Sequence, residues 1–193
     1  MIDNGRMTLH FVLDPEPTPE LRAEILTLWT DASNAGGSVG FVPPVTEDDV
    51  RPTAEKQFAG LGPAGDPGAD PDADPDADRL LIAREAAGGR LAGVLFFESM
   101  RFPLMDHWRL LKRVMVHPDF QGHGYGVQLM AQARQVALDW GLAGLRLTAR
   151  GGMGLERFYQ RCGYQEVGRV PGAIRVADGD ERDDITFWLD LRR

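Results

Sequence analysis

The chain has 193 residues, 43% apolar and 26% charged, with a formal net charge of −8. That length suffices for one domain with a sizeable core. The acidic balance excludes a broad basic face for nucleic acid and a polybasic patch for a membrane surface. The lone cysteine, Cys162, excludes an internal disulfide, so no oxidising compartment is required. The first residues lack the charged-then-apolar run of a signal peptide, and no apolar run is long enough to span a bilayer. A cytoplasmic location is therefore expected. Net acidity also suits a cationic or amine substrate, although it speaks first to solubility.

In chain order, Leu9 to Leu13 reads as a short edge strand. Thr18-Pro19-Glu20 opens a helix, with threonine as cap and proline at the first helical position. Leu21, Ile25, Leu28 and Trp29 then repeat at helical spacing, and Gly36-Gly37 ends the helix. Ser38 to Pro44 reads as a loop exposing Val39, Phe41 and Val42. A second helix is predicted from Thr46 to about Leu61. Residues 62–78 alternate Pro, Gly, Ala and Asp. Repeated Asp-Pro pairs block helix and sheet alike, so this stretch reads as a solvated, disordered acidic loop. A calcium loop would need a glycine turn and a distant bidentate glutamate.

From Arg79 the texture changes. Leu80 to Ala83 and Leu91 to Ser99 read as strands joined by a turn at Gly88-Gly89, and His107 to Val116 as a third strand. After a glycine-rich segment, Met130, Ala133, Ala137 and Trp140 share one helical face, stopped by Gly141. Leu145 to Ala149 is a strand, and Leu155, Phe158, Tyr159 and Cys162 mark a short helix stopped by Gly163. Tyr164 to Val170 and Ile185 to Leu191 are the last strands. The acidic run Asp178 to Asp184 reads as the turn between them; attraction of a cationic substrate is its second reading. The fold class expected is α/β with an α+β character: a mixed sheet with one parallel crossover at its centre.

The chemistry is carried by Gln121-Gly122-His123-Gly124-Tyr125-Gly126. Glycines let backbone N–H groups approach an anion closely, and the following helix adds the positive end of its dipole. Together they form a diphosphate cradle that needs no lysine. A P-loop would need a Gly-Lys-Ser/Thr ending, and a dinucleotide fingerprint places its third glycine one residue later. A methyltransferase Gly-x-Gly-x-Gly loop is the closer rival. It normally follows the first strand of a doubly wound domain, whereas this one lies past the chain's midpoint.

Gln121-x-x-Gly124-x-Gly126, after a strand and opening a helix, resembles motif A of the GNAT superfamily of acetyl-CoA-dependent N-acetyltransferases. Val114-Met115-Val116-His117-Pro118 is similar to that family's central strand, and Phe158-Tyr159-Gln160-Arg161-Cys162-Gly163-Tyr164 to its Phe-Tyr-x-x-x-Gly-Phe/Tyr element. Gly36 to Pro44 and Val170 to Ile174 resemble a small-molecule branch similar to tabtoxin-resistance-like enzymes. The resemblance implies a single acetyltransferase domain over residues 1–193. Its mostly antiparallel sheet is flanked by helices and splayed at an acetyl-CoA slot.

Carried over by position, the resemblance implies that backbone groups of Val114, Met115 and Val116 pair with the pantetheine arm. The amide near Val116 meets the developing oxyanion, Gly122, His123, Gly124, Tyr125, Gly126 and Val127 wrap the pyrophosphate, and Tyr159 protonates the departing thiolate. Many relatives carry an asparagine seven residues before that tyrosine; here it is Gly152, with a backbone contact expected in its place. Where some relatives carry a glutamate base, this chain has Leu110. Glu98, His107 and His117 are base candidates by chain location only, and a water chain is the alternative. Cys162 reads as a buried structural cysteine. No metal is implied.

The expected reaction is direct transfer to a primary amine, that of a small molecule, in a ternary complex. A non-catalytic acyl-CoA sensor and a protein or peptide N-acetyltransferase are the rivals. No nucleic-acid or membrane partner is expected, and homodimers are common among similar proteins.

Overall fold

The computed structural model describes residues 9–63, 76–86 and 89–192. Most of the acidic loop, and Gly88 of the turn, lie outside them. Among the described residues, one seven-stranded sheet runs in the order β1-β2-β3-β4-β5-β7-β6. Its strands are β1 Leu9–Leu13, β2 Arg79–Glu85, β3 Leu91–Glu98, β4 Trp108–Val116, β5 Gly144–Arg150, β6 Gln165–Ala177 and β7 Asp180–Asp190. The helices are α1 Pro19–Asn34, α2 Glu47–Phe58, α3 Tyr125–Asp139 and α4 Leu155–Arg161.

The sheet's two faces are sorted by strand alternation. Leu80 and Ile82 of β2 join α1 and α2 in one core, together with Val94, Phe96 and Met115. Leu81 and Ala83 face the other way and join α3 and α4 with Leu95, Phe97 and Phe187. β3 is covered on both faces, which is why it reads as an almost unbroken apolar run.

The caps agree with the sequence. Thr18 Oγ1 accepts from Leu21 N–H at 3.3 Å, and Thr46 and Asp49 form a reciprocal capping box at the start of α2. That helix ends at Phe58, three residues before the expected Leu61.

β4 makes the decisive departure from regularity. Against β3, Val94 faces Met115 while Phe96 faces Lys112, so Arg113 and Val114 together oppose Leu95. This is a β-bulge, and Arg113 takes a positive φ of 53° within it. Against β5, the parallel pairing covers only Trp108, Arg109 and Leu110. Beyond Leu110 the two strands part, and the gap between them is the expected splay.

Two expectations are corrected. Val39 is 7% exposed, not displayed on a free loop. Its carbonyl accepts from Trp29 Nε1 at 2.9 Å and Arg113 Nη1 at 3.0 Å. Asn34 fastens the segment's far end through two bonds to the Val45 backbone, each 2.9 Å. The acidic run is also not a turn: Asp180 to Asp184 lie in β7, leaving Asp178 and Gly179 to reverse the chain. Arginines distributed along the hairpin make this possible. Arg169 holds Asp183, Arg175 holds Glu181 and Arg182 holds Asp180, so a run of like charges is neutralised strand by strand.

Candidate active site at the splay of the central strands

A cleft of about 730 Å³ opens where β4 leaves β5. β4 supplies Val114, Met115 and Val116. The glycine loop supplies Gln121, Gly122 and Gly124, the start of α3 supplies Tyr125, Gly126 and Val127, and α4 supplies Tyr159. Residues 35–39, following α1, close the opposite wall. The structure thus gathers ten of the expected site residues around one opening.

The strand geometry orients Val116. His117 N–H donates to the Ala92 carbonyl at 2.9 Å, and Gly93 and Val116 are the preceding cross-strand pair. Backbone groups alternate along a strand, so the Val116 amide and carbonyl point away from β3, toward the gap. The carbonyl accepts from Gln121 Nε2 at 3.1 Å. Gln121 therefore braces the loop against the strand end, and its side-chain donor is already engaged.

The glycine loop has the form of an anion cradle. Gly122 and Gly124 have φ of 80° and 81°, and a Cβ at either would meet no heavy atom within 4 Å. The space over the N-terminus of α3 is therefore open on the glycine side. The helix's first internal acceptor is the Gly124 carbonyl, bonded by Gln128 N–H at 3.2 Å. The amides of Tyr125, Gly126 and Val127 precede any intrahelical partner. Gly126 has a different role: a Cβ there would sit 3.2 Å from the Phe158 ring, so the glycine lets α3 and α4 meet.

Two expected residues fall outside the cleft lining. His123 is exposed and stacks on Tyr125, with ring centroids 5.9 Å apart. Gly152 is exposed with φ of 79°, and a Cβ there would collide with Arg182 Nη1. Met153 and Leu155 line the cleft instead. Gly152 itself lies in the turn before α4.

Tyr159 is 6% exposed and packs against Phe158, Tyr164 and Phe187. Burial pushes its hydroxyl well above the ordinary tyrosine range, with Cys162 adding to the effect. It is therefore protonated at neutral pH and able to donate. Burial likewise raises Tyr164, whose buried hydroxyl has no hydrogen-bond partner among the described residues. Burial raises Cys162 too, which keeps that thiol un-ionised beside the core.

The two tyrosines make stability sensitive to alkali. Their folded-state pKa values lie above the unfolded value near 10, so the native state binds more protons in alkaline solution. Stability is whole below about pH 10 and falls as pH rises beyond it. Denaturant midpoints at increasing alkaline pH are expected to drop, and Tyr164→Phe to make that drop shallower. A flat profile would contradict the burial of these hydroxyls.

On the far side of the splay lies a second cavity of about 310 Å³. It is lined by Ser38 to Val42, Leu110 to Arg113, Thr148 to Arg150, Ile174, Arg175 and Asp184. Ser38 and Val39 border both openings. None of the three base candidates borders either. Glu98 pairs with Lys112 at 2.9 Å, His107 is exposed, and His117 Nδ1 accepts from Asp119 N–H at 3.2 Å. Among the described residues, Asp184 is the one carboxylate in this lining. Sequence reasoning missed it because it closes an acidic run that resembled a turn.

Comparison with known proteins decides between the nucleotide folds that use such a loop. Residues 76–166 match a family model described as an acetyltransferase (GNAT) domain. This is the GNAT acetyltransferase fold. A structure described as a phosphinothricin N-acetyltransferase superposes with a TM-score of 0.72 at 18% identity, covering 95% of this chain and 99% of that one. An acetyltransferase from Salmonella typhimurium, solved with acetyl-CoA, gives 0.66 at 18%, covering 96% and 94%. Ribosomal-protein-alanine N-acetyltransferase from Brucella melitensis gives 0.65 at 16%, covering 95% and 99%. In this GNAT fold the β4–β5 splay is the feature the family's motif led us to expect. Among the described residues no cluster of metal-ligating side chains occurs, and no helix is long and apolar enough to cross a membrane.

Proposed function

We propose that the protein is an acetyl-CoA-dependent N-acetyltransferase that acetylates the primary amine of a small molecule. The observation that carries this reading is the cleft at the splay. A strand with outward-facing backbone, an open glycine cradle and a protonated tyrosine converge on it. Val114, Met115 and Val116 hold the pantetheine arm as an added strand would be held. Gly122 to Val127 cradle the pyrophosphate through backbone N–H groups and the helix dipole.

Transfer is direct, in a ternary complex. The amine, having given one proton to solvent or a base, attacks the thioester carbonyl. The Val116 amide meets the oxygen as charge develops. The carbon–sulfur bond then breaks, Tyr159 gives its proton to the sulfur, and the nitrogen's second proton restores the tyrosine. A tyrosine with a raised pKa is a reluctant acid. A thiolate buried in the same cleft is also destabilised, so donation keeps pace with bond cleavage. Support for a small acceptor, as in the tabtoxin-resistance-like branch, comes from residues 38–44. They are fastened over the acceptor side and narrow it to a cavity.

Thermal unfolding with and without acetyl-CoA tests the donor reading. Binding to the native state adds about 2.7 kcal/mol at a hundredfold excess over Kd, and the midpoint is expected to rise. An unchanged midpoint at millimolar acetyl-CoA rejects the cleft as a CoA site and returns attention to S-adenosylmethionine.

A further inference from the structure

The donor cleft and the second cavity meet at one place. Along β4 the cleft is lined by Val114, Met115 and Val116, and the second cavity by Leu110 to Arg113. The boundary therefore falls inside the bulge, between Arg113 and Val114. On the opposite wall it falls at Ser38 and Val39, the two residues that border both openings.

These two sides are tied together. Arg113 Nη1 donates to the Val39 carbonyl at 3.0 Å, and Trp29 Nε1 donates to the same oxygen at 2.9 Å. The guanidinium also lies 4.8 Å from the centre of the Trp29 ring, within cation–π range. Phe41 meets that indole in a T-shaped contact at 6.1 Å. One carbonyl, one indole and one guanidinium thus make a single junction between the bulge and the segment after α1.

The backbone is shaped to permit it. Arg113 takes a φ of 53°, an unfavourable region for an L side chain. Gly40 has a φ of 101°, and a Cβ there would collide with Arg113 Nη1. Burial lowers the pKa of the guanidinium, and the charge of Glu98 acts against that shift. Val39 and Trp29 are both part of the core under α1, so neither moves aside without disturbing its packing.

For an amine to reach the thioester from the second cavity, the acyl end of the donor has to lie where the two openings border each other. Resting on the acetyltransferase reading, we infer that Arg113 is a specificity-determining residue for the acyl group. Its guanidinium, held between the Trp29 ring and the Val39 carbonyl, bounds the donor cleft at the bulge and limits the acyl chain to acetyl size. Acetyl ends one carbon beyond its carbonyl. Each further methylene has to displace a guanidinium that is bonded on one side and stacked on the other, or to lift Val39 out of the core.

The test is one of binding and needs no acceptor. Calorimetric Kd values are measured for CoA, acetyl-CoA, butyryl-CoA and hexanoyl-CoA, beside thermal midpoints without ligand. In the unaltered protein Kd is expected to be at least about tenfold weaker for butyryl-CoA than for acetyl-CoA. Arg113→Ala is expected to bring that ratio toward one while Kd for CoA itself is held. Arg113→Lys is expected to restore part of the ratio, since a lysine can lie along the indole and donate to the Val39 carbonyl. If Arg113→Ala does not fold, Arg113→Met serves: it keeps an apolar stem over Trp29, loses the bond to Val39, and is expected to lower the ratio. Equal binding of acetyl- and butyryl-CoA by the unaltered protein overturns the inference. So does an unchanged ratio in the folded Ala or Met variant. A structural role alone would lower the unliganded midpoint and leave the ratio as it was. Failure of every CoA species to bind the unaltered protein rejects the donor reading itself.

Discussion

Tyr159→Phe is expected to lower kcat by about 10²- to 10⁴-fold, the usual contribution of a positioned general acid, with acetyl-CoA affinity unchanged. The substitution is clean because the ring does the packing. Phe158, Tyr164 and Phe187 surround it at centroid distances of 5.0, 6.0 and 5.5 Å, and phenylalanine keeps all three contacts. Only the hydroxyl is lost, and burial holds that hydroxyl in its protonated form. Loss of kcat and kcat/KM together, with KM for acetyl-CoA held, identifies an interaction made in the transition state. Unchanged turnover would reduce Tyr159 to a core residue and remove it from the mechanism. A fall in midpoint without cofactor would show instead that the hydroxyl supports the fold.

Gly124→Asp is expected to abolish acetyl-CoA binding, read by calorimetry. Three effects act in the same direction. The residue has φ of 81°, which costs an L side chain conformational energy. The new side chain enters the open space over the first turn of α3, where no protein atom lies within 4 Å of its Cβ. Its carboxylate takes up the free amides and the positive helix end that would otherwise meet a phosphate. Aspartate at a helix start is itself a good cap, so the helix is expected to survive and the loss to be one of binding. Gly124→Ala separates the effects, adding backbone strain without the charge, and is expected to weaken binding only in part. Retained binding in Gly124→Asp would place the diphosphate elsewhere.

Much of the frame was legible in the residues. The run of Thr18-Pro19-Glu20 marked the start of α1, and the apolar blocks around Leu80, Leu95, Leu111 and Leu147 marked the buried strands. Capping bonds and strand alternation are local, so a short window contains their cause. The same holds for Gly122 and Gly124, whose positive φ values answer a demand that only glycine meets without strain.

Other features depended on partners distant in sequence. Val39 reads as an exposed loop residue until Trp29 and Arg113 donate to its carbonyl. Asp180 to Asp184 read as a turn until arginines on both strands of the hairpin neutralise them. His123 and Gly152 stand where a family motif places binding groups; His123 stacks on Tyr125, and Gly152 sits in an exposed turn where any Cβ would meet Arg182.

The sequence by itself determined the order of the elements, the faces that make the core and the position of the glycine loop at the start of α3, because periodicity and backbone freedom are properties of neighbouring residues. Only the tertiary structure decided the lining of the second cavity. Arg113 is carried over the Trp29 ring through a bulge, and Arg150 meets Asp184 only when β5 and β7 pair in register. A charge at a cavity wall belongs to the three-dimensional arrangement. Net charge sums over the whole surface, and here the cavity carries the opposite sign.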